Sequence, residues 1–124
     1  MTLSVAASIL YATLAALPAS VQLGLVAGAP WGCLTLGGLW PGRLPVWLRV
    51  IALLQAGMLI CMAAAVLNRS GAVALDWPLW SYPVVLTVTG LSLLANAVTP
   101  SRIERLTWVP VILLMLISAI VANP

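Results

Sequence analysis

The chain has no histidine and no lysine, and its only acidic side chains are Asp76 and Glu104. General acid–base chemistry therefore has few candidates, because the groups that usually move protons near neutrality are missing or nearly so. Charged residues make up 6% of 124 positions, against about a quarter in soluble domains, which excludes an ordinary water-facing surface. No Cys-x-x-C pair occurs, so zinc ligation and dithiol exchange lack a motif. Cys33 lies near glycines and arginines, and Cys61 reads as a small hydrophobe in a packed helix. Gly32 and Gly37 have the spacing of a phosphate-binding loop, but Gly38-Leu39 stands where Lys and Ser or Thr are required. No metal, cofactor or nucleic acid is expected.

What the chain does have is apolar length. Hydrophobic residues fill 64% of it, and no Asp, Glu, Lys or Arg precedes Arg43. A hydrocarbon core of about 30 Å takes about 20 apolar residues at about 1.5 Å each. Four such segments fit, at roughly 3–27, 46–67, 79–98 and 106–122. Backbone groups in lipid must pair within the segment, so the expected fold class is all-α: a transmembrane four-helix bundle forming one domain over 1–124. The stretch from Pro30 to Pro45 has three prolines and four glycines and cannot hold a further regular helix. Leu17-Pro18-Ala19-Ser20 imitates a signal-peptidase site, but no Lys or Arg precedes it and the apolar run is long, so the first helix is expected to stay.

Arg43, Arg49, Arg102 and Arg105 flank the first and third connections, and Arg69 alone marks the second. The positive-inside rule puts the first and third connections in the cytoplasm and both termini outside. All six tryptophans fall near the expected borders, where indoles anchor at headgroup level: Trp31, Trp40, Trp47 and Trp108 on one side, Trp77 and Trp80 on the other.

Ser101 and Glu104 have capping-box spacing: the Ser hydroxyl is expected on a first-turn N–H and the Glu carboxylate on the Ser101 N–H. Asp76 is expected to cap the third helix, with Ser81 as the rival start. Pro110 removes one backbone donor from the fourth helix and is expected to kink it. Inward faces are expected at Ser4, Ser8, Tyr11, Ala15, Pro18 and Gln22 on the first helix, at Gly57, Cys61 and Ala65 on the second, and at Thr89, Ser92, Asn96 and Thr99 on the third. Gln22, Gln55 and Asn96 should each find a partner, since an unpaired amide in hydrocarbon costs several kcal/mol.

The first connection is the strongest functional lead, because it is long and its four leucines are badly placed in water, so it should lie in the interface or fold back into the bundle. Together with the third connection it brings Trp31, Arg43, Arg49, Asn96, Arg102, Glu104, Arg105 and Trp108 to one membrane edge. Guanidinium forks match phosphate or carboxylate, and indole walls suit an apolar body; the plainer account is arginines snorkelling toward anionic lipid headgroups. Arg49 sits a turn inside its helix and is expected to pair with Glu104, the only acid on that side.

Gly28-Ala-Pro-Trp-Gly32, Gly37-Gly38, Gly42-Arg-Leu-Pro45, Arg49, Gln55, Asn96, Thr99-Pro-Ser-Arg-Ile-Glu-Arg105 and Trp108-Val-Pro110 together make the chain resemble a family of small bacterial four-helix integral membrane proteins of uncharacterised function. The resemblance implies a bundle in the bacterial cytoplasmic (inner) membrane and no particular activity. Three readings stand in order: a membrane-embedded module binding lipid, an amphiphile or a partner helix at the Arg/Trp-rich edge; a subunit of a homo-oligomeric channel or transporter; and an enzyme acting on an amphiphile. Membrane lipids, and a second copy of the chain, are the expected partners.

Overall fold

A computed structural model describes residues 1–124. Four helices account for most of the chain: α1 (Leu3–Val26), α2 (Val46–Ser70), α3 (Ser81–Val98) and α4 (Arg102–Val121). Each is long and apolar enough to cross a membrane, so this is a multi-pass membrane protein built as a four-helix bundle. α1 packs most extensively on α2, and α4 bridges α1 and α3; α2 and α3 touch least among these pairs.

Local chemistry sets the helix ends. Thr2 Oγ1 accepts from the Val5 N–H (3.2 Å) at the start of α1. α2 runs past Leu67 to Ser70 and stops at Gly71, whose φ of 86° is the left-handed conformation of a helix C-terminal glycine. α3 starts at Ser81, the rival start, and not at Leu79. Asp76 does not cap it: four residues of non-helical chain separate it from Ser81, and Asp76 itself has φ 54°. α4 starts four residues earlier than Leu106, because Ser101 caps it by accepting from the Glu104 N–H (3.3 Å). Only that half of the capping box forms; the Glu104 carboxylate accepts from Thr99 Oγ1 (3.3 Å) instead of the Ser101 N–H. α4 continues through Pro110, and α1 through Pro18.

The inward faces of α1 and α3 are as the sequence suggests. Ser8, Tyr11 and Ala15 are buried on α1, and Thr89 on α3. Tyr11 and Thr89 hydroxyls bond at 2.9 Å, and Ser70 donates to Ser8 at 2.7 Å, so two buried polar pairs cross the bundle. Such bonds contribute about 0.6 kcal/mol each in a membrane. The α2 face differs from expectation. Gly57 and Cys61 are exposed, and the packed face runs through Leu48, Ala52, Ala56, Met62, Ala65 and Val66. α2 is apolar on all sides, so hydrophobicity does not mark a face; alanines at 52 and 56 permit the close approach to α1.

The first connection folds into a compact structure on the bundle end. It contains two single-turn 3-10 helices, Gly32–Leu34 and Leu36–Gly38. The Gly32 N–H donates to the Gly42 carbonyl (2.8 Å), closing the segment on itself. A Cβ on Gly32 would stand 1.8 Å from the Trp40 carbonyl oxygen and 2.7 Å from that of Gly42, so only glycine fits. Trp31 lies on Gly24 of α1 in the same way, with ring carbons 2.0 Å from where a Cβ would be. Leu44 is buried with Leu25, Leu48 and Ala52, anchoring the segment's end between α1 and α2.

Gly32→Ala is expected to destabilise the protein by about 2 kcal/mol or more, since backbone must move to admit the methyl group. Gly57→Ala meets nothing within 4 Å and is expected to range from neutral to about 1 kcal/mol stabilising. Thermal unfolding in detergent followed by helical circular dichroism separates the two; equal melting temperatures would contradict this packing.

Candidate functional site

A cavity of about 260 Å³ lies in the half of the bundle next to the first connection. Its back is α1 (Pro18, Val21, Gln22) and α4 (Glu104, Trp108, Ile112, Met115). Its side walls are α2 (Gln55, Met58, Leu59, Met62) and α3 (Thr89, Ser92, Asn96), and Leu34, Thr35 and Leu36 of the connection close the end. Met115 lies eleven positions beyond Glu104 on α4, so the cavity reaches about 16 Å down the bundle. Met58 lines it and is also 45% exposed. Met58 stands on the side where α2 and α3 make little contact.

Polarity is graded along this depth. Gln22, Gln55, Asn96 and Glu104 stand toward the connection, and Leu59, Met62, Ile112 and Met115 lie deeper. The Tyr11–Thr89 pair closes the polar chemistry at the floor, with Tyr11 fully buried. Asn96 Nδ2 donates to the Ser92 carbonyl one turn back (2.8 Å). Gln22 and Gln55, expected to find partners in the chain, have none there; both residues line the cavity, and no sealed polar atom is left unpaired.

Three of the eight expected site residues, Asn96, Glu104 and Trp108, line this cavity. Trp108 is buried and not an interfacial anchor: its Nε1 donates to the Leu34 carbonyl (2.7 Å), fixing the connection to α4. Trp31 is tied to Gly24, and Trp40 meets Trp47 edge-to-face at 5.9 Å. The expected Arg49–Glu104 pair does not form. Arg49 Nε donates to the Leu44 carbonyl (3.0 Å), because Pro45 follows Leu44 and the turn into α2 leaves that carbonyl within reach. Arg105 donates to the Thr99 carbonyl in the corresponding turn before α4. Arg43 lies over Gly28, its Nε 2.9 Å from the position of an added Cβ, and Arg102 is exposed. Two of the four arginines thus satisfy backbone carbonyls at helix corners, and none lines the cavity.

Comparison with protein-family models, curated proteins and solved structures finds no match. The geometry alone must carry the functional reading.

Sequence reasoning missed the part played by Leu34–Leu36 and the sulfur-rich depth of the cavity. Leu36 has φ 55°, a left-handed conformation that costs a side-chain-bearing residue about 1–2 kcal/mol. It is held there between Thr35 and Gly37-Gly38, both glycines also at positive φ. Nothing in the spacing of the leucines signals this. Chemically, the cavity has one carboxylate, three amides and hydroxyls over an apolar shaft, with no neighbouring base or nucleophile pair. That set binds and orients a molecule with distinct polar and apolar ends.

Trp108→Phe keeps the aromatic bulk and removes the bond to Leu34. A loss of about 1 kcal/mol is expected, with faster amide hydrogen exchange confined to residues 32–38. Exchange spread evenly over α4, with the connection unchanged, would contradict the tether.

Proposed function

We propose that this chain is a membrane-embedded binding module that takes one amphiphile into the cleft between α2 and α3. The observation that carries the reading is the graded cavity: amides and a carboxylate at the connection end, with methionines, leucine and isoleucine below, and a lining residue, Met58, that is also exposed on the outside. An apolar tail entering from the bilayer would exchange lipid contacts for Leu59, Met62, Ile112 and Met115, while its head would meet the polar end. A cavity of about 150 Å³ already holds benzene; about 260 Å³ suits one slender chain or ring and is too small for both chains of a phospholipid. The unpartnered Gln22 and Gln55 amides favour binding over a purely structural role, since polar groups facing hydrocarbon gain most when a ligand pairs them.

The resemblance and the arginine asymmetry together support a bacterial cytoplasmic membrane with the Arg43, Arg49, Arg102 and Arg105 end inside and both termini outside. In this orientation the polar end of the cavity faces the cytoplasmic leaflet. The channel reading lacks an equivalent feature, because the polar groups converge on a cavity within one chain and not on an outer face that copies could share.

Ser92 is half-buried on the α3 wall, so Ser92→Phe fills the cleft from that wall. Binding of a dodecyl-chain amphiphile, read by tryptophan fluorescence in nanodiscs, should fall at least about tenfold, as expected when one ordered apolar group is excluded; unchanged binding would sink the proposal. A carboxy-terminal alkaline phosphatase fusion should be active, and an inactive fusion would reverse the assigned orientation.

A further inference from the structure

Resting on the amphiphile reading, we infer that the head this cavity recognises is a primary ammonium on a single slender chain, with Glu104 as its counter-charge. Glu104 is the only ionisable side chain that lines the cavity. Its carboxylate accepts one hydrogen bond, from Thr99 Oγ1. The nearest arginines in sequence and topology do not neutralise it. Arg105 is committed to the Thr99 carbonyl and Arg49 to the Leu44 carbonyl. The cavity therefore presents a negative charge with remaining acceptor capacity, since an ionised carboxylate has about four lone-pair sites.

The neighbouring amides add acceptors beside this carboxylate. Asn96 has one of its two amide N–H groups engaged with the Ser92 carbonyl, and its Oδ1 is free to accept. Gln22 and Gln55, each unpartnered within the chain, add two more amides near the same end, and an amide can turn its oxygen toward a donor. An ammonium has three donors and no acceptor, so it matches a set of acceptors around one carboxylate. The buried Trp108 indole walls that end, and indole is the side chain best suited to lie beside a cation. A phosphate or carboxylate head would meet Glu104 as a like charge, with the uncommitted Arg43 and Arg102 outside the cavity. The site's electrostatic sign is thus opposite to that of the arginine-rich rim around it. The rim would repel a bare cation in water, so a cationic head reaches Glu104 by the lateral route, its tail dissolved in the bilayer.

The test uses the full-length protein in phosphatidylcholine nanodiscs, with empty discs subtracted. Dodecylamine, dodecanol and dodecanoate share one chain and differ in head, and binding of each is read by tryptophan fluorescence. Wild type should prefer dodecylamine to dodecanol by about tenfold or more, the scale of a hydrogen bond to a charged group, and should bind dodecanoate least. Glu104→Gln, nearly isosteric and still able to accept from Thr99, should erase the amine preference and leave dodecanol binding in place. Equal binding of amine and alcohol by wild type, or an amine preference that survives Glu104→Gln, would overturn the ammonium assignment while leaving the amphiphile reading intact. Failure of all three to bind would overturn both. Displacement of dodecylamine by phosphatidylethanolamine added to the discs would overturn the single-chain assignment.

Discussion

Every backbone N–H and C=O at membrane depth must find its partner within the protein, because the hydrocarbon offers none. Helices meet this constraint along their length, and the difficulty concentrates where the chain turns. The stretch between α1 and α2 meets it with bonds that reach across the sequence: the Gly32 N–H to the Gly42 carbonyl, the Trp108 indole to the Leu34 carbonyl, and the Arg49 guanidinium to the Leu44 carbonyl. Arg105 serves the Thr99 carbonyl at the other corner of the same end. These side chains are occupied in closing the bundle, and the electrostatics of the site follow from what they leave over. With two arginines so occupied and two outside, the one acid at this end stays in the cavity without a cationic partner.

Much of the fold was legible because few forces act on such a chain. Charge-free apolar runs of sufficient length fix four spans, and Pro30 to Pro45 excludes a fifth. The small and polar stripes of α1 and α3 are readable because Ser8, Tyr11 and Thr89 contrast with their apolar neighbours. α2 lacks that contrast. When every side is apolar, lipid and protein compete on equal terms and packing geometry decides, so Ala52 and Ala56 went inward while Gly57 and Cys61 faced out.

The site was half legible. Asn96, Glu104, Trp108, Gln22 and Gln55 stand out as polar or amphipathic groups in an apolar chain, and all five line the cavity. Their grouping was obscured by the arginines, since opposite charges on one membrane side invite an ion pair on paper. A backbone carbonyl is invisible as a partner in a sequence, yet Leu44 before Pro45 and Thr99 before Pro100 each provide one that a nearby arginine reaches. The left-handed Leu36 and the depth set by Met62 and Met115 depend on tertiary placement and leave no local signature.

The central claim is that one chain encloses one amphiphile. Native mass spectrometry of the protein released from gentle detergent tests it most directly, by reading subunit count and retained small molecules together. The account predicts that each copy of the chain retains at most one single-chain amphiphile, in monomers as in any higher species. A closed ring of subunits with no retained amphiphile would contradict it and would return the polar faces of α1 and α3 to consideration as the lining of a pore.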